Sequence, residues 1–318
     1  MTIKPGIREF LWMSAGAVML LLVMLVIMHF RMRQSPAEQS ALKAVRLELV
    51  SRIRLSLASA SEAEKSAVMA VTDEDSRTFA NQARAYTADA EKGREELEKL
   101  LASGGTRTEK ELLVQFSADF TEFRRIDKEL LALAVKNTNI KAYGLAFGPA
   151  TSALNGMATA LSRLAEKNAG GADAAKVAML AFGAQTAALR IQTLLAPHIA
   201  EESDSKMDEL EALMAADDRE VRNDIKGLAA IRGLDGAADL RTAEAGYAMF
   251  GKIRAQIIEL SRENTNVKSL AISLSQKRKE MFMCQDSLSA LQRAILDEPI
   301  ADVSSSHISN PRNLGIEK

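Results

Sequence analysis

Asn137-Thr138-Asn139-Ile140-Lys141 returns 127 residues later as Asn264-Thr265-Asn266-Val267-Lys268. The same register aligns Phe120 with Tyr247, Phe123 with Phe250, Arg125 with Lys252, Ile126 with Ile253 and Leu133 with Leu260. A second block matches at an offset of 138: Arg52-Ile53 with Arg190-Ile191, Leu57-Ala58 with Leu195-Ala196, and Met69 with Met207. Matching apolar positions around a repeated pentapeptide mark an internal duplication, with copies at about 40–170 and 172–295.

Each copy reads as helices. Leu42, Val45, Leu49, Ile53 and Leu57 recur at spacings of three and four, as do Val177, Leu180, Ala184, Ala187, Ile191 and Leu195. Phe116, Phe120, Phe123, Leu130 and Leu133 form a third stripe. Such stripes are faces that must be buried against other helices. Of the 318 residues 47% are apolar but only 4% aromatic, with 6 prolines and 17 glycines. That is too little turn chemistry and too few aromatics for a β-sandwich or barrel.

Breaks fall at Thr72-Asp73-Glu74-Asp75, Ser103-Gly104-Gly105-Thr106, Gly170-Gly171, 201–205 and 232–236. They carry the acidic, hydroxyl and glycine residues that cap helices and turn the chain. Six helices result, at about 35–71, 76–102, 108–168, 172–200, 206–230 and 238–295. Neither Asn-Thr-Asn site contains Gly or Pro, so the two long helices are expected to run unbroken through them, each roughly 90 Å long at about 1.5 Å per residue. Short connections between antiparallel neighbours then fold six helices into two four-helix bundles stacked end to end. The two Asn-Thr-Asn sites meet at the junction. The expected fold is all-α: one transmembrane helix, then two stacked four-helix bundles built from six helices, two of them long.

Residues 1–9 form a short N-terminal segment. Phe10 to Phe30 reads FLWMSAGAVMLLLVMLVIMHF, 21 residues without a formal charge. That spans a bilayer, and Trp12 suits its interface. A cleaved signal peptide has a shorter apolar stretch and a small-x-small site after it. Here Arg31-Met32-Arg33-Gln34 follows, so the anchor is expected to be uncleaved. Lys4 and Arg8 precede the span, while Arg31, Arg33, Lys43 and Arg46 follow it, and long domains translocate regardless of such counts. Charge therefore leaves the orientation undecided. Residues 31–295 are the helical domain, and 296–318 a polar, disordered tail.

A net charge of −1 offers nothing to nucleic acid. Cys284 is the single cysteine, so no intrachain disulfide or cysteine zinc cluster forms. Three histidines, His29, His198 and His307, are scattered. No nucleophile–base pair, phosphate loop or metal signature is present, so the chain is not expected to be an enzyme or to carry a cofactor or metal.

The anchor, the six helices and the repeat together resemble the extracytoplasmic four-helix-bundle sensor region of methyl-accepting chemotaxis receptors, in its helical bimodular form. The resemblance covers roughly residues 10–295 and rests on Asn-Thr-Asn-hydrophobic-Lys and on Pro197-His198-Ile199-Ala200-Glu201-Glu202. Such receptors add a second transmembrane helix, a linker and a cytoplasmic hairpin. None of these is read in this sequence, so the sensor region is expected to stand without them. The resemblance implies a single-pass protein of a bacterial inner membrane with its large domain in the periplasm. It also implies a small ligand, such as an organic acid, and a homodimer or a partner membrane receptor. A helical scaffold anchored in the membrane, with no small ligand, is the alternative.

A carboxylate ligand calls for an Arg fork. Arg52 and Arg190 are equivalent in the repeat, each before an inward Ile, and Arg46 borders the same stripe. These three are the candidate ligand-binding residues; the competing reading is arginines that merely border a core. Asn137, Thr138, Asn139, Asn264, Thr265 and Asn266 are expected to form a polar layer that sets the register of the long helices, as a buried Asn does in coiled coils. His198, Glu201 and Glu202 have helical metal-ligand spacing, but a helix-end polar cluster accounts for them better. Lys65 and nearby charges read as a solvated face.

Overall fold

The computed structural model describes residues 36–299, preceded only by Met19, Leu22 and Met24. Residues 1–9, the rest of the 10–30 apolar run and the tail from residue 300 lie outside the described residues. Met19, Leu22 and Met24 are helical with exposed side chains. Among the described residues no helix is long and apolar enough to cross a membrane.

Six helical runs fill residues 36–297, and no strand occurs among the described residues. They are α1 (Pro36–Met69), α2 (Asp73–Gly104), a run of α3 (Arg107–Ala134), α4 (Thr138–Leu145) and α5 (Thr151–Lys167), then α6 (Ala174–Ala200) and α7 (Asp204–Ala229). The last run holds α8 (Ala238–Glu263), α9 (Thr265–Ile272) and α10 (Arg278–Asp297). The connections show why the runs stop where they do. Thr72 Oγ1 accepts the Asp75 N–H at 3.1 Å at the head of α2. At the head of α3, Thr106 Oγ1 accepts the Glu109 N–H at 3.2 Å while Glu109 Oε2 accepts the Thr106 N–H at 2.8 Å. This reciprocal box satisfies two donors that a helix start leaves free. Gly233 and Gly236, at φ 86° and 73°, turn the chain between α7 and α8.

The long runs are not continuous. Asn137 (φ 52°) and Asn264 (φ 54°) adopt the left-handed conformation and break the runs, the first over residues 135–137 and the second at Asn264 alone. Asparagine tolerates that conformation without being glycine, so the lack of Gly and Pro did not protect the helix. The chain does not fold back there. Residues before Asn137 pack with 63–83, and residues after it join the core of α5 to α8. A five-residue π-helical turn follows in each run, Ala146–Ala150 and Ser273–Lys277, again 127 residues apart. Pro149 sits inside the first π turn, where a widened helix tolerates its missing N–H. The second has no proline, so the widening belongs to the duplicated backbone.

The helices distribute over two compact units. One unit takes the chain up to Arg54, Lys92–Gln115 and the chain from Asp286. Its buried residues include Leu49, Ile53, Leu97, Leu101, Leu113, Leu288, Leu291 and Ile295. Arg46 joins its segments from the inside, donating to the Gly104 carbonyl at 2.8 Å, Glu109 Oε2 at 3.4 Å and Glu298 Oε2 at 3.0 Å. The other unit, Leu55–Glu91 and Phe116–Gln285, holds two helical packings. In one, Ala63, Ala67 and Val68 of α1 meet Ala80 and Ala83 of α2, Leu130, Leu131 and Ala134 of α3, and Ile272 of α9. In the other, α4–α5, α6, α7 and α8 bury Leu154, Leu161, Ile191, Leu195, Val221, Leu228, Phe250 and Ile257. Gly246 allows a close crossing here: a Cβ would stand 3.0 Å from the Ala153 carbonyl oxygen and 3.1 Å from the Met157 nitrogen.

Candidate functional site

The two Asn-Thr-Asn sites meet face to face. The Thr138 N–H donates to Thr265 Oγ1 at 3.2 Å, and the Thr265 N–H to Thr138 Oγ1 at 3.1 Å. Asn139 N–H donates to Asn266 Oδ1, and Asn266 N–H to Asn139 Oδ1, both at 3.2 Å. The orphan donors that open α4 are thus capped by the other copy's side chains, and those of α9 likewise. Asn139 Nδ2 donates to Asn264 Oδ1 at 2.7 Å, and Asn266 Nδ2 to Asn137 Oδ1 at 3.1 Å. The repeated lysine has its own task. Lys141 donates back to the Lys136 carbonyl at 2.8 Å and Lys268 to the Glu263 carbonyl at 2.9 Å, each closing the helix before the break. These bonds join Asn137, Thr138, Asn139, Asn264, Thr265 and Asn266, and the network reaches neighbouring turns. Asn137 Nδ2 donates to Asp73 Oδ1 at 3.1 Å, while Asn139 and Asn264 reach the Ile199 and Glu201 carbonyls. The Asn137 bond, opposed by burial and joined by Lys141, holds the Asp73 carboxyl below its usual range.

A buried charge cluster lies beside the second π turn. Lys277 is 1% exposed and pairs with Asp127 of α3, with its ammonium 3.2 Å from the Phe123 ring centroid. Glu64 of α1 is wholly buried, and no hydrogen bond of good geometry reaches either carboxyl oxygen, although the Ser273 hydroxyl stands close enough to act on it. Burial pushes its pKa up, against the downward pull of the Ser273 hydroxyl and Lys277; Asp127 adds to the rise. Burial likewise lowers Lys277, against Asp127. Glu64, Ser273 and Lys277 line a cavity of about 560 Å³ between α1 and the π turn with α10. Leu274, Met281 and Phe282 supply its apolar wall, and Glu62, Lys65 and Arg278 also line it.

The α4–α8 bundle has a cavity of the same volume, about 560 Å³, between the first π turn with α5 and helix α6. It is lined by Phe147, Thr151, Asn155, Leu189, Gln192 and Thr193 among others. The two cavities use the same duplicated elements, a π turn with its following helix against the first helix of the other copy. Across this bundle Asp218 accepts from the Tyr247 hydroxyl at 2.6 Å, Arg222 at 2.7 Å and Arg254 at 3.1 Å. Burial opposes ionisation of Asp218, but these donors outweigh it and depress its pKa.

The three predicted ligand arginines are already engaged. Arg46 is buried on its three acceptors. Arg52 pairs with Glu96 and lines a shallow cleft of about 370 Å³ with Val45, Glu48 and Lys99. Arg190 pairs with Asp217 at 2.8 Å and with Glu220. His198, Glu201 and Glu202 do not converge. His198 contacts Ser261 at 2.8 Å and Glu211 at 3.0 Å, while Glu201 accepts the N–H groups of Glu202 and Ser203. Glu64 and Lys277 were missed. Glu64 continues the 53, 57, 60, 67 stripe of α1, and Lys277 precedes Cys284, Leu288, Leu291 and Ile295 at helical spacing. That spacing places both inside; Lys65, one residue on, is the exposed charge.

An all-α domain whose two copies cap each other's helices, with a cavity beside each π turn, has the architecture of a helical-bundle sensor. The family comparison agrees: a model described as the four-helix-bundle sensory module for signal transduction matches residues 7–179, over half of the chain. The chain belongs to that family, the sensory module of methyl-accepting chemotaxis receptors. No curated protein and no solved structure matches it.

Proposed function

We propose that this protein is a single-pass, membrane-anchored sensor with its helical domain outside the cytoplasm, binding a small ligand between helices and acting without enzymatic chemistry. The observation that carries the reading is the pair of cavities on duplicated elements, each about 560 Å³. That volume suits a small molecule. An organic acid at Arg52 or Arg190 would have to displace Glu96, or Asp217 and Glu220, from those guanidinium groups. The uncharged run at 10–30 and the exposed Met19, Leu22 and Met24 support the anchor. A reporter fused after Lys318 should be active only on the periplasmic side; cytoplasmic activity would reverse the orientation.

A thermal-shift screen of organic acids, amino acids and amines on the full chain tests ligand binding, because a ligand stabilises by mass action. A second reading, a helical protein that docks on a partner receptor or a second copy, draws on α6. Met179, Phe182 and Leu189 are each at least 60% exposed on one face of that helix. A screen without hits, together with a dimer or receptor complex lost in Phe182→Glu, would favour it.

A further inference from the structure

We propose that the cavity between α1 and α10 takes a small monoamine, with Glu64 receiving the ligand's ammonium group. This rests on the reading of the domain as a small-ligand sensor and names the ligand class of one of its cavities. The geometry makes the case. Glu64 lines the cavity, is 0% exposed, and receives no hydrogen bond of good geometry at either carboxyl oxygen. A buried carboxyl left so is costly in either protonation state, and a charge-assisted donor removes that cost. The cation already present acts on Glu64 only through space and gives it no hydrogen bond. Lys277 turns to Asp127 and the Phe123 ring. Asp127 claims the ammonium, and the Glu64 carboxyl is left without a cation bonded to it. Leu274, Met281 and Phe282 offer an apolar wall for the body of the ligand. The exposed groups that also line the cavity, Glu62 with Lys65 and Arg278, are net positive, which disfavours a second ammonium on the ligand. A monoamine with an apolar body is the chemistry that fits all of these.

Calorimetry on the full chain in detergent uses four probes: butylammonium, phenethylammonium, the neutral 2-phenylethanol and the diamine cadaverine. Binding of either monoamine, with both other probes weaker by roughly tenfold or more, is expected for a charge-assisted contact. Glu64→Gln should weaken the monoamine by roughly tenfold to a hundredfold. The exposed Glu122→Gln should leave it unchanged. Glu64→Leu removes the unpartnered carboxyl and should raise Tm without ligand, which also shows that the site folds when altered. Equal binding of 2-phenylethanol, or a monoamine affinity untouched in Glu64→Gln, overturns the proposal. Monoamines that fail while an acid or amino acid from the wider screen binds overturn the ligand class alone. Failure of every class removes the small-ligand reading with it.

Discussion

Replacing Asn264 by Gly and by Ala separates the backbone part of the joint from the side-chain part. Asn264 sits at φ 54°, ψ 41°, where a residue with a Cβ gives up about 1–2 kcal/mol. Its Nδ2 donates to the Glu201 carbonyl and its Oδ1 accepts from Asn139 Nδ2, both at 2.7 Å. Both variants delete this pair of bonds. Asn139 Nδ2 keeps the Ile199 carbonyl at 2.6 Å, so the loss falls mainly on the Glu201 carbonyl and amounts to about 1–3 kcal/mol. Glycine takes the left-handed conformation freely, but its unfolded chain is looser by about 0.4–1 kcal/mol. The Ala variant should therefore be less stable than the Gly variant by about 0.5–1 kcal/mol. Asn137 has the same backbone, at φ 52°, and the same ordering is expected there. Urea unfolding of the full chain, followed by far-UV circular dichroism, measures all four variants. An Ala variant at least as stable as its Gly counterpart, at either site, would refute the account of these asparagines as left-handed joints.

Glu64 has its folded pKa raised from 4.5, so stability is fullest below that value and declines as pH rises towards the folded one. Lys277, Asp127 and Lys65 act on it, and Glu64→Gln should flatten the decline in unfolding measured between acid and neutral pH. Asp218 behaves oppositely. Its folded pKa lies below 3.8, so its contribution is present above that value and is lost as pH falls through the folded one. Asp218→Asn should cost about 1–3 kcal/mol at neutral pH and remove that acid-side loss. Burial pushes the Cys284 thiol up to about 12, so a thiol reagent at neutral pH should label it only after denaturant is added. Gly246→Ala forces a Cβ onto the α5 backbone and should lower stability by about 1–3 kcal/mol in the same urea assay.

Helix ends were legible because their signals are local. Thr72 and Thr106 stand where caps were expected, and Gly233 and Gly236 where a turn was expected. The duplication was legible because it is a pattern in the chain itself, and the six residues of the polar layer followed from it. The left-handed breaks were hidden because asparagine serves helices and turns alike. The π turns were hidden because Ala146–Ala150 and Ser273–Lys277 share no residue pattern, only an offset. The arginines show a different limit. Arg46 was read as a ligand-binding residue bordering a stripe, but its acceptors Glu109 and Glu298 lie 63 and 252 residues away in sequence. Spacing along one helix says where a guanidinium points, not what has already claimed it. Glu64 fell among the charges near Lys65 that were read as a solvated face, and Lys277 was not singled out, although both lie on a buried stripe.

The crossed hydrogen bonds of the joint, Thr138 with Thr265 and Asn139 with Asn266, give it the logic of a two-fold interface drawn inside a single polypeptide. Each copy carries both the donor and the acceptor half of the contact, so the surface is complementary to itself, as in an isologous dimer. A change made at one position appears once in each partner of a dimer, but here it appears in one copy only. The two faces are therefore free to diverge while the joint between them stays matched. They have done so beside the π turns, where Ala150 occupies the position that Lys277 fills in the other copy. One cavity adjoins a buried charge cluster and the other is lined by neutral polar groups, so a single chain holds two unlike cavities on one symmetric frame.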